Sequence, residues 1–264
     1  MGLLELFGAA SARAANAKAP PLGRPEAFLS GPELALMKAA LEGDAGQAGQ
    51  LVAQGANPNG HGPATGSKMT PQVTLLAYAI GERSERAMGV LVGVGADPLF
   101  EPREGDGDAF MFACIRRDDR MLDALYRLYP LTKIPQDKQV QHAFSALDLD
   151  AIDCLHVMLS RGLSKDITRR TGDNLLVEAL YRQDYDTAEW LIQDVGVALE
   201  VPAPKSGVTP ANIVQKDLAE SFVPGTPLAE RNLRLKQMME KHGVKFPVET
   251  AADYRARRKA KSAP

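Results

Sequence analysis

The chain has 264 residues, with 31 Lys and Arg against 33 Asp and Glu, a formal charge of −2. That length allows one or two domains and a sizeable core, and 45% hydrophobic with 24% charged residues is ordinary for a soluble globular protein. No run approaches the roughly 20 apolar residues of a membrane-spanning helix, the two cysteines, Cys114 and Cys154, cannot build a disulfide scaffold or a cysteine-rich zinc site, and the near-neutral balance argues against a nucleic-acid-binding body.

Residues 1–30 read as an N-terminal arm or cap helix followed by a Pro-rich linker. Leu3, Leu4, Leu6 and Phe7 form a short apolar face, broken by Glu5 and preceded by no basic residue, so a secretory signal is not expected. Gly2 lacks Ser or Thr at the sixth position, so myristoylation is not expected either. The chain is read as cytoplasmic, with peripheral membrane contact by the arm as the minor alternative. Residues 16–25 carry Pro20, Pro21 and Pro25, which prevent helix continuation.

From residue 31 a repeat appears. Small residues recur a fixed distance before a turn: Ala39 lies 16 residues before Gly55, Ala79 before Gly95 and Ala146 before Gly162, with Ala179 lying 17 before Gly196. Ala113 lies 16 before Tyr129, where Tyr-Pro replaces the glycine turn. Between each pair falls a second helix with paired apolar residues: Leu51-Val52, Leu91-Val92, Leu125 and Leu128, Leu155 with Met158-Leu159, and Trp190-Leu191-Ile192. Each unit is a helix pair that cannot bury its apolar face alone, so neighbours must stack. A last, disturbed unit opens at Gly207-Val208-Thr209-Pro210 and ends near His242-Gly243; Thr226 as N-cap and Pro227 at the first helical position predict a helix over 227–241.

These units resemble ankyrin repeats. The best match is Thr74-Leu75-Leu76-Ala77-Tyr78-Ala79-Ile80, closing at Gly95-Ala96-Asp97-Pro98; Leu36-Met37-Lys38-Ala39-Ala40 closes at Gly55-Ala56-Asn57-Pro58-Asn59. The histidine that the family places after leucine is absent, replaced by Met37, Ala77, Met111, Phe144 and Val177. The resemblance implies an all-α, ankyrin-like solenoid of about five to six helix-turn-helix repeats with short hairpin-like fingers, spanning 31–248. Residues 249–264 remain as a basic C-terminal tail, read as a solvated terminus. Residues 250–264 hold five basic side chains against Asp253, a net +4, which leaves −6 on the rest.

Catalytic, cofactor and metal sites are not expected. None of the four histidines (His61, His142, His156 and His242) pairs with another ligand at metal spacing, and the cysteines read as buried packing residues. Glu104-Gly105-Asp106-Gly107-Asp108 lacks the later Glu of a calcium loop and reads as a solvated finger. The resemblance implies binding of a protein partner through a concave groove and the fingers. The residue before each small position faces that groove: Lys38, Tyr78, Phe112, Ser145 and Glu178, joined by Glu82, Arg116, Tyr181 and Arg182. Tyr78 and Phe112 either meet a partner or fill gaps between stacked helices. The finger candidates are His61 and Lys68, then Phe100, Arg103, Asp106 and Asp108, then Arg169 and Arg170. Compact single-array chains of this kind resemble bacterial immunity or chaperone-like proteins that block a secreted toxic effector, and the acidic body suits a basic toxin surface. The alternative is a secreted effector or scaffold acting on another cell's proteins.

Overall fold

The computed structural model describes residues 20–62, 72–220 and 223–261. The apolar arm at Leu3–Phe7, and Lys68 of the first finger, lie outside them. The chain divides into two compact units, Met1–Arg161 and Gly162–Pro264. Among the described residues the first holds four helix pairs: α1 (Gly31–Glu42) with α2 (Ala45–Ala53), α3 (Leu75–Gly81) with α4 (Glu85–Gly93), α5 (Ala109–Ile115) with α6 (Asp119–Leu128), and α7 (Gln136–Asp148) with α8 (Ile152–Ser160). The second holds α9 (Leu175–Tyr181) with α10 (Tyr185–Trp190), which runs on into a π-helical turn, then α11 (Pro210–Glu220) with α12 (Pro227–Lys241), and α13 (Ala251–Lys261). The chain is all-α, as its periodicity requires.

The turn inside each pair explains the spacing of the small residues. The N–H of Asp44, Ser84, Asp118, Ala151 and Asp184 donates to the carbonyl of Ala39, Ala79, Ala113, Ala146 and Ala179 in turn, at 2.8–3.0 Å. The small residue therefore sits in the last turn of its helix and closes a Schellman turn. All five alanines are buried, where a neighbouring helix crosses closely. Four of the five turn residues with left-handed backbone are not glycine: Arg83, Arg117, Asp150 and Gln183 have φ of 52–56°, against 79° at Gly43. A side chain in that region costs about 1 kcal/mol. Gln183→Gly is expected to stabilise the second unit by up to about 1 kcal/mol, less what glycine adds to unfolded-chain entropy, read from urea midpoints.

Side-chain caps fix most of the helix starts. Asp44, Ser84, Asp118 and Asp184 accept from Gln47, Ala87, Met121 and Thr187 at the starts of the second helices. Thr74, Asp108 and Asn174 accept from Ala77, Met111 and Val177 at the starts of first helices. Each satisfies an orphan N–H that a helix start leaves open. Thr226 caps α12 through Ala229 N, as its sequence predicted.

Within the first unit, first helices pack on first helices (α3 on α5, α5 on α7) and second on second (α4 on α6, α6 on α8). Phe110 is fully buried at the centre of an aromatic cluster, its ring 4.9 Å from Tyr126, 5.3 Å from His142 and 6.4 Å from Tyr129. Cys114 and Cys154 are fully buried packing residues; the hydrogen bond of the Cys114 thiol to Cys154, then burial, push that thiol upward. The first finger opens with a short antiparallel pair, β1 (His61–Gly62) and β2 (Val73–Thr74), with His61 opposite Thr74. In the second unit one bridge, Thr168 with Asn174, does the same job.

The basic C-terminal stretch differs from the solvated tail read from its charge. Ala251–Lys261 forms α13, because Thr250 and Asp253 cap each other and Glu249 takes a paired bond from Arg257. Gln215 brackets Val248 through both backbone groups, and Arg255 donates to Ser206 O at 2.9 Å. Its basic side chains remain exposed.

Candidate partner-binding surface

Four of the residues expected to line a groove on the first unit, Lys38, Tyr78, Glu82 and Arg116, hold the segment Pro20–Phe28. Apart from one 3-10 turn at Pro25–Ala27, this segment is irregular, which its three prolines explain. Tyr78 donates its hydroxyl to Gly23 O, and Arg116 donates to Pro20 O. Glu82 accepts from Gly23 N at 3.0 Å. Lys38 pairs with Glu26 at 2.6 Å, which holds the Glu26 carboxyl below its ordinary range. Phe28 leans on Tyr78 with ring centroids 5.9 Å apart. Leu22 fits over Gly81, where a Cβ would fall 2.5 Å from its Cδ1.

This changes the reading of the groove column. Tyr78 is 1% exposed and Arg116 5%, both covered in part by the segment. Phe112, 6% exposed, is buried on α5, which packs between α3 and α7, so it fills the stack rather than facing solvent. Lys38 is exposed and Glu82 half-buried. Burial depresses the Arg116 guanidinium slightly, with nearby Arg83 adding to the effect and Asp118 opposing it.

Asp108 also departs from expectation. It was read with the finger tip, yet it is 2% exposed. One carboxylate oxygen caps α5 and the other lies 2.8 Å from Nε2 of His142, itself buried and stacked on Phe110. It is a structural anchor, and the acidic run ends inside the protein. The rest of that finger stays near the surface: Arg103 pairs with Asp106 at 3.0 Å, Glu101 bonds Lys138, and Phe100 stacks on His61 of the preceding finger with centroids 6.4 Å apart.

In the second unit Glu178 is half-buried and meets Arg169 at 3.4 Å, while Arg170 and Arg182 are exposed. Tyr181, 58% exposed, lines a groove of about 710 Å³ with Leu180, Ile213, Asp217 and Arg255. Burial raises the carboxyl of Asp217 and the phenol of Tyr181. Sequence reasoning missed Asp217 and Arg255, which periodicity alone does not bring together. It also missed Leu22 and Gly81, because their contact joins segments nearly sixty residues apart.

The phenols supply a pH dependence. Burial, then the charges of Glu82 and Glu26, push Tyr78 from 10 up to about 12, and burial raises Tyr126 further. A raised acid holds its proton more tightly when folded than unfolded. The corresponding stability is fully present below pH 10 and is lost as pH rises from 10 through 12. Urea midpoints should therefore fall between about pH 9 and about pH 11, and Tyr78→Phe should flatten part of that fall.

Solved structures with the same arrangement of helix pairs include the ankyrin repeat domain of Bcl-3, a member of the IκB protein family. It matches at 16% identity with a TM-score of 0.59, over 83% of this chain and 90% of that one. The fold is an ankyrin-repeat fold. The human ASB11 ankyrin repeat domain also matches, at 16% identity and a TM-score of 0.48, over 87% of this chain and 98% of that one. No protein-family model and no curated protein matches the chain. Among the described residues, no helix is long and apolar enough to cross a membrane. The likeness to Bcl-3 fixes the ankyrin fold; what the chain binds must come from its own surface.

Proposed function

We propose that this chain is a non-catalytic protein-binding module acting in the cytoplasm. The observation that supports the reading is the Tyr78, Glu82 and Arg116 trio, three polar side chains on an ankyrin-repeat unit that hold the backbone of an extended segment. Side chains that bond a peptide backbone suit polypeptide recognition rather than chemistry on a small substrate. Within that class, the reading is an immunity or chaperone-like protein that neutralises a toxic effector. A net −6 outside the C-terminal fifteen residues supports it, since a basic toxin would be steered to such a body.

Affinity capture from the native cell with folded full-length bait, read by mass spectrometry, tests both levels. A stoichiometric protein is the expected result, and a toxic enzyme among the captured partners supports the finer reading. No protein partner under those conditions overturns the module reading. A partner without toxicity overturns the immunity reading alone.

A further inference from the structure

We infer that the groove over α3 and α5 is a site for an extended peptide containing leucine followed by a small residue, and that residues 20–28 occupy it in cis until a partner segment replaces them. This rests on the binding-module reading and adds the chemistry of the partner.

Three features of the segment carry the inference. Apart from the Glu26–Lys38 pair, its polar bonds to the unit run through its backbone, at Pro20 O, Gly23 N and Gly23 O, so another extended chain can satisfy the same Arg116, Glu82 and Tyr78. Leu22 is set over the bare backbone of Gly81; the three nearest atoms to a Cβ built there all belong to Leu22. Gly23, next along, is exposed with φ of 92°, so the chain leaves the recess through a conformation that favours glycine. Beyond these and the Phe28 ring on Tyr78, the attachment is slight. Pro20, Pro21, Arg24, Glu26 and Ala27 are exposed, and the Glu26–Lys38 pair joins two half-exposed side chains. Such a surface pair holds weakly. Pro20 and Pro21 restrict the first part of the segment and Pro25 starts its 3-10 turn, so little conformational freedom is lost when it docks or is replaced.

A protein whose site is filled in cis binds a competitor with an affinity reduced by the fraction of open molecules. The test uses full-length chain and a fluorescein-labelled synthetic peptide covering residues 18–29. Leu22→Asp should release the segment by placing a charge in an apolar recess, without disturbing the stacked helices. By fluorescence anisotropy, the peptide should bind Leu22→Asp at least about tenfold more tightly than the unchanged chain. Adding Gly81→Leu, which fills the recess, should weaken that binding at least about tenfold, with circular dichroism confirming retained helix. Equal affinity for the unchanged chain and Leu22→Asp, or no binding to folded Leu22→Asp, overturns the inference. So does an unchanged chain that runs as a dimer with the segment exchanged between copies.

Failure of the module reading looks different. If the peptide binds Leu22→Asp but cells yield no protein partner, the site stands and the module reading falls. A captured partner insensitive to both substitutions leaves the module reading standing and overturns the site.

Discussion

Phe110→Ala is expected to destabilise the first unit by about 4 kcal/mol, the largest effect of any single change proposed for this chain. The ring is fully buried on α5 and touches aromatic side chains from α6, the following turn and α7. Its removal forfeits the transfer energy of a benzyl group and leaves a hole walled by Tyr126, Tyr129 and His142, rings too stiff to collapse into it. Against a total stability of about 5–15 kcal/mol, that loss brings the unit close to half unfolded under mild denaturant. The check is a urea titration followed by circular dichroism, at unchanged slope. Phe110→Leu, which refills most of the space, should recover more than half of the loss. A loss below about 1.5 kcal/mol for the alanine variant would mean that the cluster repacks.

Asp108→Ala should cost about 3 kcal/mol. Two separate bonds end on this carboxylate. The cap on Met111 N is worth about 1 kcal/mol. The bond to His142 leaves a buried imidazole N–H without an acceptor when it is cut, at about 1–3 kcal/mol. Asn is informative because it keeps the cap but presents an N–H to His142 Nε2. The imidazole must then move its proton to Nδ1, a buried atom with no hydrogen-bond partner. Asp108→Asn should therefore lose about 2 kcal/mol, less than alanine. Because His142 stacks on Phe110, the two changes share a partner and should not add: the double variant falls short of the sum by about 0.5–2 kcal/mol. Additivity would show that the histidine is held from elsewhere.

The repeat frame was legible because it rests on local chemistry. An alanine in the last turn of a first helix, a cap residue five positions later that is polar in four of five units, and a glycine after the second helix in most units recur with the period of one helix pair. Thr226-Pro227 gave the start of α12 for the same reason. Asp108 was legible too, had the frame been applied to it. It stands five residues before Ala113, as Thr74 stands before Ala79 and Asn174 before Ala179, which is the capping position of a first helix. The neighbouring Glu104 and Asp106 drew it into a charged loop instead. Tyr78 was beyond local reasoning: a column that faces outward by helical phase is covered by a segment 55 residues earlier in the chain. Likewise, the docking of α13 rests on Gln215 and Ser206, distant partners that a basic composition does not announce.

The left-handed turns carry a lesson for redesign. At Gln183 the side chain costs conformational energy, and glycine is the better residue. At Arg83 and Arg117 the same backbone angle aims a guanidinium at the next turn: Arg83 reaches the carboxylate of Asp118 at 2.8 Å, and Arg117 reaches Leu149 O at 3.1 Å. Asp118 is itself a helix cap and almost wholly buried, so the arginine completes its shell. A charge-assisted bond of about 1.5–3 kcal/mol outweighs the roughly 1 kcal/mol of backbone strain. Writing glycine at every turn would ease each loop while unfastening those at Arg83 and Arg117 from their neighbours. Sites that superpose in the repeat are not interchangeable: at two of them the arginine is a clasp between successive turns.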